Sequence, residues 1–600
     1  MTGGYTGKIL FVDLSSGKIS EETADEKLYR DFIGGYGVGA KILFDRQKAG
    51  VDPLGPENTL GIVTGPLTGT PAAMGSRYVV VAKSPLTGGW GDANSGGNFG
   101  PQLKFAGYDA IFFSGIAEKP VYLLINSGKA ELKDASHLWG KDAYQTEDML
   151  KDEHGQQTHV SCIGQSGENL ALISCVITKR GAAAGRSGLG AVMGSKKLKA
   201  IAVKGRIPLT LADQAAADRV RKEYLAEFNQ SDFAKRFRKY GTSAMTRNSA
   251  LSGDTPVKNW GGIGVNDFPN PEGLSGDAAI ANVAKSENCW HCTLACQAML
   301  REGSGEYKYP AGTRRPEYET QASFGTMCLN DNTESIAMAN HICNSYGLDT
   351  ISAGCAIAFA IECYEHGIIT REDTGGIELR WGDHRAIIAM TEKLAKREGL
   401  GDILADGVKI AAEKIGKGAE QFAVHIGGQE LGMHDPKLVS EARRGRPRAA
   451  SYQMDATPGR HTAGFGPSSF RGLIVNAAGL CNFGYPAGAE SDEHIRGFMS
   501  AATGWDRSWE ELLKCGERIA NIRQAFNSRE GINPLKLAVH PRIKGTPPQA
   551  EGPLKGVTAD FEEQARENLV ALDWDPVTAK PNKSKLIELG LDDVARVLWP

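Results

Sequence analysis

Three cysteines within eight positions are the residues of this sequence best suited to hold a metal: Cys289, Cys292 and Cys296 in ENCWHCTLACQ, with Trp290 and His291 between the first two. A C-x2-C-x3-C run brings three sulfurs onto one loop, and two chemistries fit it. Zinc would be satisfied by three thiolates and a histidine, for which His291 or a distant residue could serve. An iron–sulfur cubane needs four thiolates, commonly three local and one remote. Cys481, held in the glycine-rich AAGLCNFG, is the remote candidate. The plain alternative is that cysteines are small buried apolar residues. That suits Cys343, Cys355 and Cys363, which fall in apolar helical stretches, better than three thiols around a Trp-His pair.

A second pattern is a repeat. NSYGLD (344–349) and NAAGLC (476–481) share Asn, Gly and Leu at the same spacing and end in a residue able to bind something. Each follows a helical segment, so each glycine suits a left-handed helix cap. The Asn and Asp side chains then offer oxygens to a pocket. Two copies of one loop are what a ligand with two similar halves requires. Three glycine-rich segments nearer the start, IGGYGVGAKILF, GSRYVVVAKSPLTGGWGDANSGGNFGP and RGAAAGRSGLGAVMGSKKLKAIAV, supply exposed N–H groups beside Arg and Lys, which suits phosphate. Gly35, Gly37 and Gly39 give GxGxG rather than the dinucleotide GxGxxG, and there is no P-loop. For acid–base work the candidates are Glu317 and Glu319 of PEYET, which on a strand would face the same side, and His461 in ATPGRHTAG, with His434 in GMHDPK as its rival. The competing role for the glutamates is an ion pair with Arg314 or Arg315. For either histidine it is a structural hydrogen bond.

These residues need elements to position them. Up to about residue 208, short apolar runs alternate with Gly/Pro/Asn turns: KILFVDL, TLGIVTG, RYVVVAKS, AIFFSGI, VYLLINSGKAEL and LKAIAVKG read as strands. A helix interrupted at its glycines is expected from Asp25 to Arg46. Beyond that the period becomes helical, in LADQAAADRVRKEYLAEFNQ, ESIAMANHICNSYG, GCAIAFAIECYEHG, SWEELLKCGERIANIRQAFNSRE and the terminal KSKLIELGLDDVARVLWP. The expected class is α+β: a glycine-rich sheet domain (1–208) as cofactor base, then two mostly helical domains (209–420 and 421–600) enclosing the cofactor.

Composition bounds the function. The 600 residues carry 68 Lys+Arg against 71 Asp+Glu, so there is no polyelectrolyte signature for nucleic acid. Mean hydropathy is −0.30 and no apolar run is long enough for a membrane span. The start shows no secretory pattern, and 11 cysteines, an odd number, favour a reducing compartment, hence a cytoplasmic location. Gly 74 is unusually high and spread through motifs rather than linkers. The run Arg443, Arg444, Arg446, Arg448 is either a solvated face or a dock for an acidic electron carrier.

Taken together, GYTGKILFVDLSSGKI with FIGGYGVGAKIL, SPLTGGWGDANSGGNFGPQLKFAGYDAIFFSG, GLGAVMGSKKLKAIAV, CWHCTLAC, PEYET and the twin loops resemble, in order and along essentially the whole chain, the tungsten-pterin aldehyde:ferredoxin oxidoreductase family. The resemblance implies a tungsten held by the dithiolenes of two pyranopterins, with molybdenum as the chemically equivalent metal, and one [4Fe–4S] cluster on Cys289, Cys292, Cys296 and Cys481. It places Arg77 between cluster and pterin, and Asn94 and the backbone at Ala183 beside a Mg2+ linking the pterin phosphates. Gly185 and Arg186 fall in the same phosphate-facing loop. One pterin each is held by Asn344, Gly347, Leu348 and Asp349, and by Asn476, Gly479 and Leu480. The family's usual first loop residue is Asp; both copies here are Asn, which keeps an acceptor oxygen and loses the charge.

The implied reaction is oxidation of an aldehyde to a carboxylic acid with water as oxygen source. Electrons leave through the cluster to ferredoxin or to a multi-cluster iron–sulfur subunit, with or without a flavin subunit, in an oligomer or hetero-oligomer. Glu319 is favoured over Glu317 as base, and His461 would hydrogen-bond the oxo group or substrate carbonyl. Two other readings compete: the tungsten subunit of an aromatic acyl-CoA reductase, and a non-catalytic iron–sulfur relay.

Overall fold

The computed structural model describes residues 3–439, 450–462 and 464–600. The arginine run at 443–448 lies outside the described residues. The apolar runs of the first third become two six-stranded sheets. The first holds β1 (Lys8–Asp13), β2 (Lys18–Thr23), β3 (Leu60–Thr64), β4 (Tyr78–Lys83), β5 (Trp90–Ser95) and β6 (Ala110–Ser114), in the order β2-β1-β6-β3-β4-β5. The second holds β7 (Val121–Asn126), β8 (Lys129–Asp134), β9 (His159–Cys162), β10 (Val176–Thr178), β11 (Ala182–Ala184) and β12 (Leu198–Lys204), in the order β8-β7-β12-β9-β10-β11 when read in the same sense.

The two orders are the same after a shift of six strands. In each sheet the first and sixth strands pair in parallel and every other neighbour is antiparallel. This region is therefore duplicated in topology. β3 and β4 are buried along their whole length, which is why they read as continuous rather than alternating apolar runs. The two sheets meet at their equivalent edges, where Ser95 Oγ on β5 donates to the Ala182 carbonyl on β11 at 3.0 Å.

Beyond the sheets the described chain is mostly helical, as expected. The helix Thr350–Glu365 is buried almost all round and centres the largest apolar cluster, together with Thr333–Tyr346 and His384–Lys396. A second apolar cluster joins the first sheet to C-terminal helices: Ile42 and Val81 share it with Ile474, Ile522 and Leu598. The capped helix Trp509–Arg529 packs on both Gly35–Arg46 and Phe470–Ala477.

Two expectations are corrected. The break in the early helix falls at Ile33–Gly34, between Glu26–Phe32 and Gly35–Arg46, and Gly37 and Gly39 lie inside the second helix. A side chain at 37 would meet the Phe32 carbonyl, so that glycine serves close packing. The terminal helix is two, Lys583–Glu588 and Asp592–Leu598, parted at Gly590 with φ 72°. Among the described residues no helix is long and apolar enough to cross a membrane.

Candidate active site

The twin loops dock on equivalent places of the two sheets. In the first, the helix Thr333–Tyr346 ends at Gly347 with φ 80°, and Leu348 N–H reaches back to the Cys343 carbonyl at 2.7 Å. In the second, Gly479 has φ 87° and Leu480 N–H bonds the Val475 carbonyl at 3.0 Å. Both are the glycine-terminated cap that the sequence repeat implied. The Gly347 carbonyl accepts from Cys175 N–H, just before β10, at 2.8 Å, and the Gly479 carbonyl accepts from Arg77 N–H, just before β4, at 3.0 Å. A glycine after the preceding strand clears the way in each half: a Cβ at Gly164 would sit 2.3 Å from the Tyr346 carbonyl oxygen, and one at Gly65 2.3 Å from the backbone of Ala478. Asn94 pairs with Val79 on β4 as Ala183 pairs with Ile177 on β10, so these two residues are also counterparts, at the seam between the halves.

Around that seam the thiols gather. Arg77 is half-buried, and its guanidinium donates to Cys481 Sγ at 3.1 Å and to Asn94 Oδ1 at 3.2 Å. Burial works against its charge, but Cys481, Cys289 and Cys296 around it outweigh that and hold its pKa above the ordinary value. Gly97 N–H donates to Cys289 Sγ at 3.1 Å, and a Cβ at Gly96 would lie 2.9 Å from the same sulfur. Burial and then the neighbouring thiols push Cys292 up to about 12. Cys296 is raised by burial, then by Glu317 and the other three thiols. The four sequence-assigned cysteines are thus one electrostatic cluster, with the Arg77 guanidinium against three of them. Four crowded neutral thiols gain from a polynuclear cation centre that takes them as thiolates. Among the described residues, no three His, Cys, Asp or Glu side chains converge on a point that would hold one metal ion, as zinc requires. His291 points elsewhere, with Nδ1 3.5 Å from Arg221 Nη1.

The other flank is acid–base in character. PEYET is not a strand: Glu317 caps the helix Tyr318–Phe324 and Glu319 sits in its first turn, so the two carboxylates diverge. Glu317 accepts a hydrogen bond from Thr242 Oγ1 and lies toward Cys296. Glu319 turns inward, accepts from Met433 N–H at 2.8 Å through Oε2, and holds Oε1 3.5 Å from both His434 Nε2 and His461 Nδ1. Burial raises its pKa, against the opposing effect of His434 and Arg186. The ion pairs considered for the glutamates do not form: Arg314 donates to Gln297 and Arg315 to the Cys296 carbonyl. Both histidines read from the sequence therefore meet at Glu319, their rings 5.9 Å apart.

Between these flanks lie groups suited to a large anionic guest. Arg186 is buried, its Nε 3.0 Å from Asp349, with Nη1 left without a hydrogen-bond partner. A Cβ at Gly185 beside it would meet only Ala183 Cβ at 3.8 Å and Asp349 Oδ1 at 4.0 Å, both ordinary contacts. Asn476 Oδ1 accepts from Asn94 Nδ2 at 3.0 Å, and its amide donates to the Gly472 carbonyl at 2.7 Å. Asn344 is buried against Gly181 and donates to Asn340 Oδ1 at 3.2 Å. Asn476 also borders a cavity of about 580 Å³, whose wall includes Tyr36, Asp455, Arg460 and Arg523. Asp92, Arg460, Arg523 and Asp455 form a buried ion network there that sequence reasoning missed. Arg460 adjoins His461 in sequence, but its partner is 368 residues away.

Comparison with known proteins gives full-length matches. The family model described as the N-terminal domain of aldehyde ferredoxin oxidoreductase matches residues 9–205, and the model of its domains 2 and 3 matches 219–591. Tungsten-containing aldehyde ferredoxin oxidoreductases of Pyrococcus horikoshii and Pyrococcus furiosus are each 37% identical to this chain, over 98% of it and 99% of the relative. The active-site complex of benzoyl-coenzyme A reductase with 1,5-dienoyl-CoA is a structural neighbour, with TM-score 0.83, 25% identity, and 99% and 98% of the two chains covered.

Proposed function

The chain belongs to the aldehyde ferredoxin oxidoreductase family, and from that premise we propose that it oxidises aldehydes to carboxylic acids at a tungstopterin centre, with water as the oxygen source. The observation that carries this reading is Glu319 held within 3.5 Å of both His434 and His461 and near Arg186 and Asp349 of the first cap. The metal supplies two-electron redox chemistry when bound. Asn344, Gly347, Leu348 and Asp349 hold one pterin, and Asn476, Gly479 and Leu480 the other. Asn94, the Ala183 backbone, Gly185 and Arg186 would take the pterin phosphates and an accompanying Mg2+. Cys289, Cys292, Cys296 and Cys481 ligate one [4Fe–4S] cluster, and Arg77 ties it to the pterin side.

The protein's own residues handle water, substrate and protons. Glu319, kept protonatable by burial, takes a proton from the attacking water. His461, which approaches the same Glu319 oxygen as His434, orients the substrate oxygen. The cysteine loop is half-exposed, so electrons pass outward to a ferredoxin or an iron–sulfur subunit. The helix Asp232–Tyr240 beside it carries Lys235, Arg236, Arg238 and Lys239, with Arg238 Nε donating to the Thr293 carbonyl. That places basic charge where an acidic carrier would arrive.

The test is aldehyde-dependent reduction of a viologen dye together with metal analysis. Activity with aliphatic or aromatic aldehydes and one tungsten per chain are expected. A tungsten-loaded protein inert to every aldehyde but active on an aromatic acyl-CoA would move the assignment to the reductase reading, which rests on the 25% identical neighbour.

A further inference from the structure

We infer that Asp254 and His434 form the outlet by which protons collected at Glu319 leave the site. The inference rests on the proposed aldehyde oxidation and adds a route to it. Each turnover joins one aldehyde and one water into an acid and releases two protons and two electrons. The electrons go to the metal centre and then to the acceptor, so the protons need a separate path off the carboxylate that receives them.

The two nitrogens of His434 face different carboxylates. Nε2 lies 3.5 Å from Glu319 Oε1, and Nδ1 lies 2.7 Å from Asp254 Oδ2. The ring is fixed from the side by stacking on Tyr318, centroids 4.7 Å apart, and Tyr318 is itself held through Thr255 Oγ1 at 2.7 Å. Asp254 is positioned by Ser249 Oγ at 3.1 Å and sits two residues from exposed Ser252. Proton transfer runs from the Glu319 acid to His434 Nε2, and the proton on Nδ1 then passes to Asp254 and on to solvent; no bond other than O–H and N–H changes. A carboxylate behind an imidazole fixes its tautomer and steadies the cation formed in passing. The charged or titratable groups facing this path are Asp254, Glu319, His461 and Tyr318, with Arg186 and Asp349 acting on Glu319 from behind and Asp435 next in sequence to His434 but paired to Lys437. His461 Nδ1 also lies 3.5 Å from Glu319 Oε1 and is the histidine proposed for the substrate side.

His434 and Asp254 act through Glu319 and are positioning residues, so the test needs readouts that packing alone would not move. In holoenzyme, Asp254→Asn is expected to lower kcat about tenfold or more with the aldehyde KM unchanged. It should also raise the solvent deuterium isotope effect and respond to added formate as a substitute proton carrier. Asp254→Glu should recover most of the rate. Independently of turnover, histidine hydrogen–deuterium exchange read by mass spectrometry should show the His434 pKa falling by about one unit in Asp254→Asn. An Asp254→Asn enzyme with unchanged kcat, isotope effect and His434 pKa would overturn the outlet, as would a loss of rate that neither formate nor Asp254→Glu restores. Wild-type enzyme that oxidises no aldehyde would instead remove the proposed function, while the His434–Asp254 coupling would still be read by exchange.

Discussion

Replacing Arg77 with Met removes the guanidinium that Cys481, Cys289 and Cys296 surround while keeping a side chain of similar length. The guanidinium lies 3.1 Å from Cys481 Sγ and is also surrounded by Cys289 and Cys296. An electron added to a cluster held by these sulfurs is spread over several atoms, on the order of 6 Å from the charge. At an effective dielectric of about 20 that attraction is roughly 3 kcal/mol. For a one-electron couple this corresponds to about two decades, on the order of 100 mV. Losing the cation disfavours the reduced cluster, so its potential should fall by that amount. An EPR-monitored redox titration of the cluster measures it directly. Arg77→Lys, which keeps the sign of the charge, should recover much of the shift. The reasoning is refuted if the potential of a fully loaded Arg77→Met cluster moves by less than about 20 mV or rises.

Glu319→Gln should lose about 10²–10⁴ of kcat with tungsten and pterin content unchanged; near wild-type turnover would remove Glu319 from the mechanism. Burial raises the Glu319 pKa, so its folded form is favoured when protonated, and that contribution is lost as pH rises from the unfolded value through the folded one. Glu319→Gln should therefore melt at or above the wild-type temperature at neutral pH, and a clear drop would contradict the assignment of burial as the cause. Cys481→Ser should strip or damage the cluster, and an intact EPR signal would exclude it as a ligand; Cys328, which bonds backbone carbonyls in the helical core, and Cys515, beside Arg507, are poor substitutes. Burial holds His159 and His425 down to about 4. Each contributes stability above the unfolded value near 6.5 that is lost as pH falls toward 4, about 3 kcal/mol apiece before solvent screening. Urea unfolding across that window should show the loss, and His425→Gln should reduce it; an unchanged pH slope would show that His425 is not held neutral.

Strands β3, β4, β6 and β12 were legible because burial on both faces leaves uninterrupted apolar runs, and the long helices because one face repeats at helical spacing. By contrast β2, β5, β9, β10 and β11, polar or very short, were not read from the sequence. The cysteine triplet and the twin caps were legible because both are short-range patterns whose geometry is local. PEYET misled because four polar and aromatic residues after a proline carry no period, and only packing on Thr350 and Met433 decides that a helix starts there. The pairings of Asp254 with His434 and of Asp92 with Arg460 span 180 and 368 residues, and no local pattern announces them. The duplication of the sheets was hidden for a different reason. Equivalent strands such as YVVVAK and VIT preserve pairing order while their residues have diverged.

A cradle made of two like halves would, left symmetric, give its guest no reason to discharge in one direction. One position breaks that symmetry: the first cap closes in Asp349, which feeds the field around Glu319, and the second in Cys481, which faces Arg77 and the other sulfurs. In the proposed reaction, electrons and protons would therefore leave by different flanks of one centre. Because each path runs both ways, the direction of turnover would be set by the acceptor's potential and by pH, each acting on its own flank.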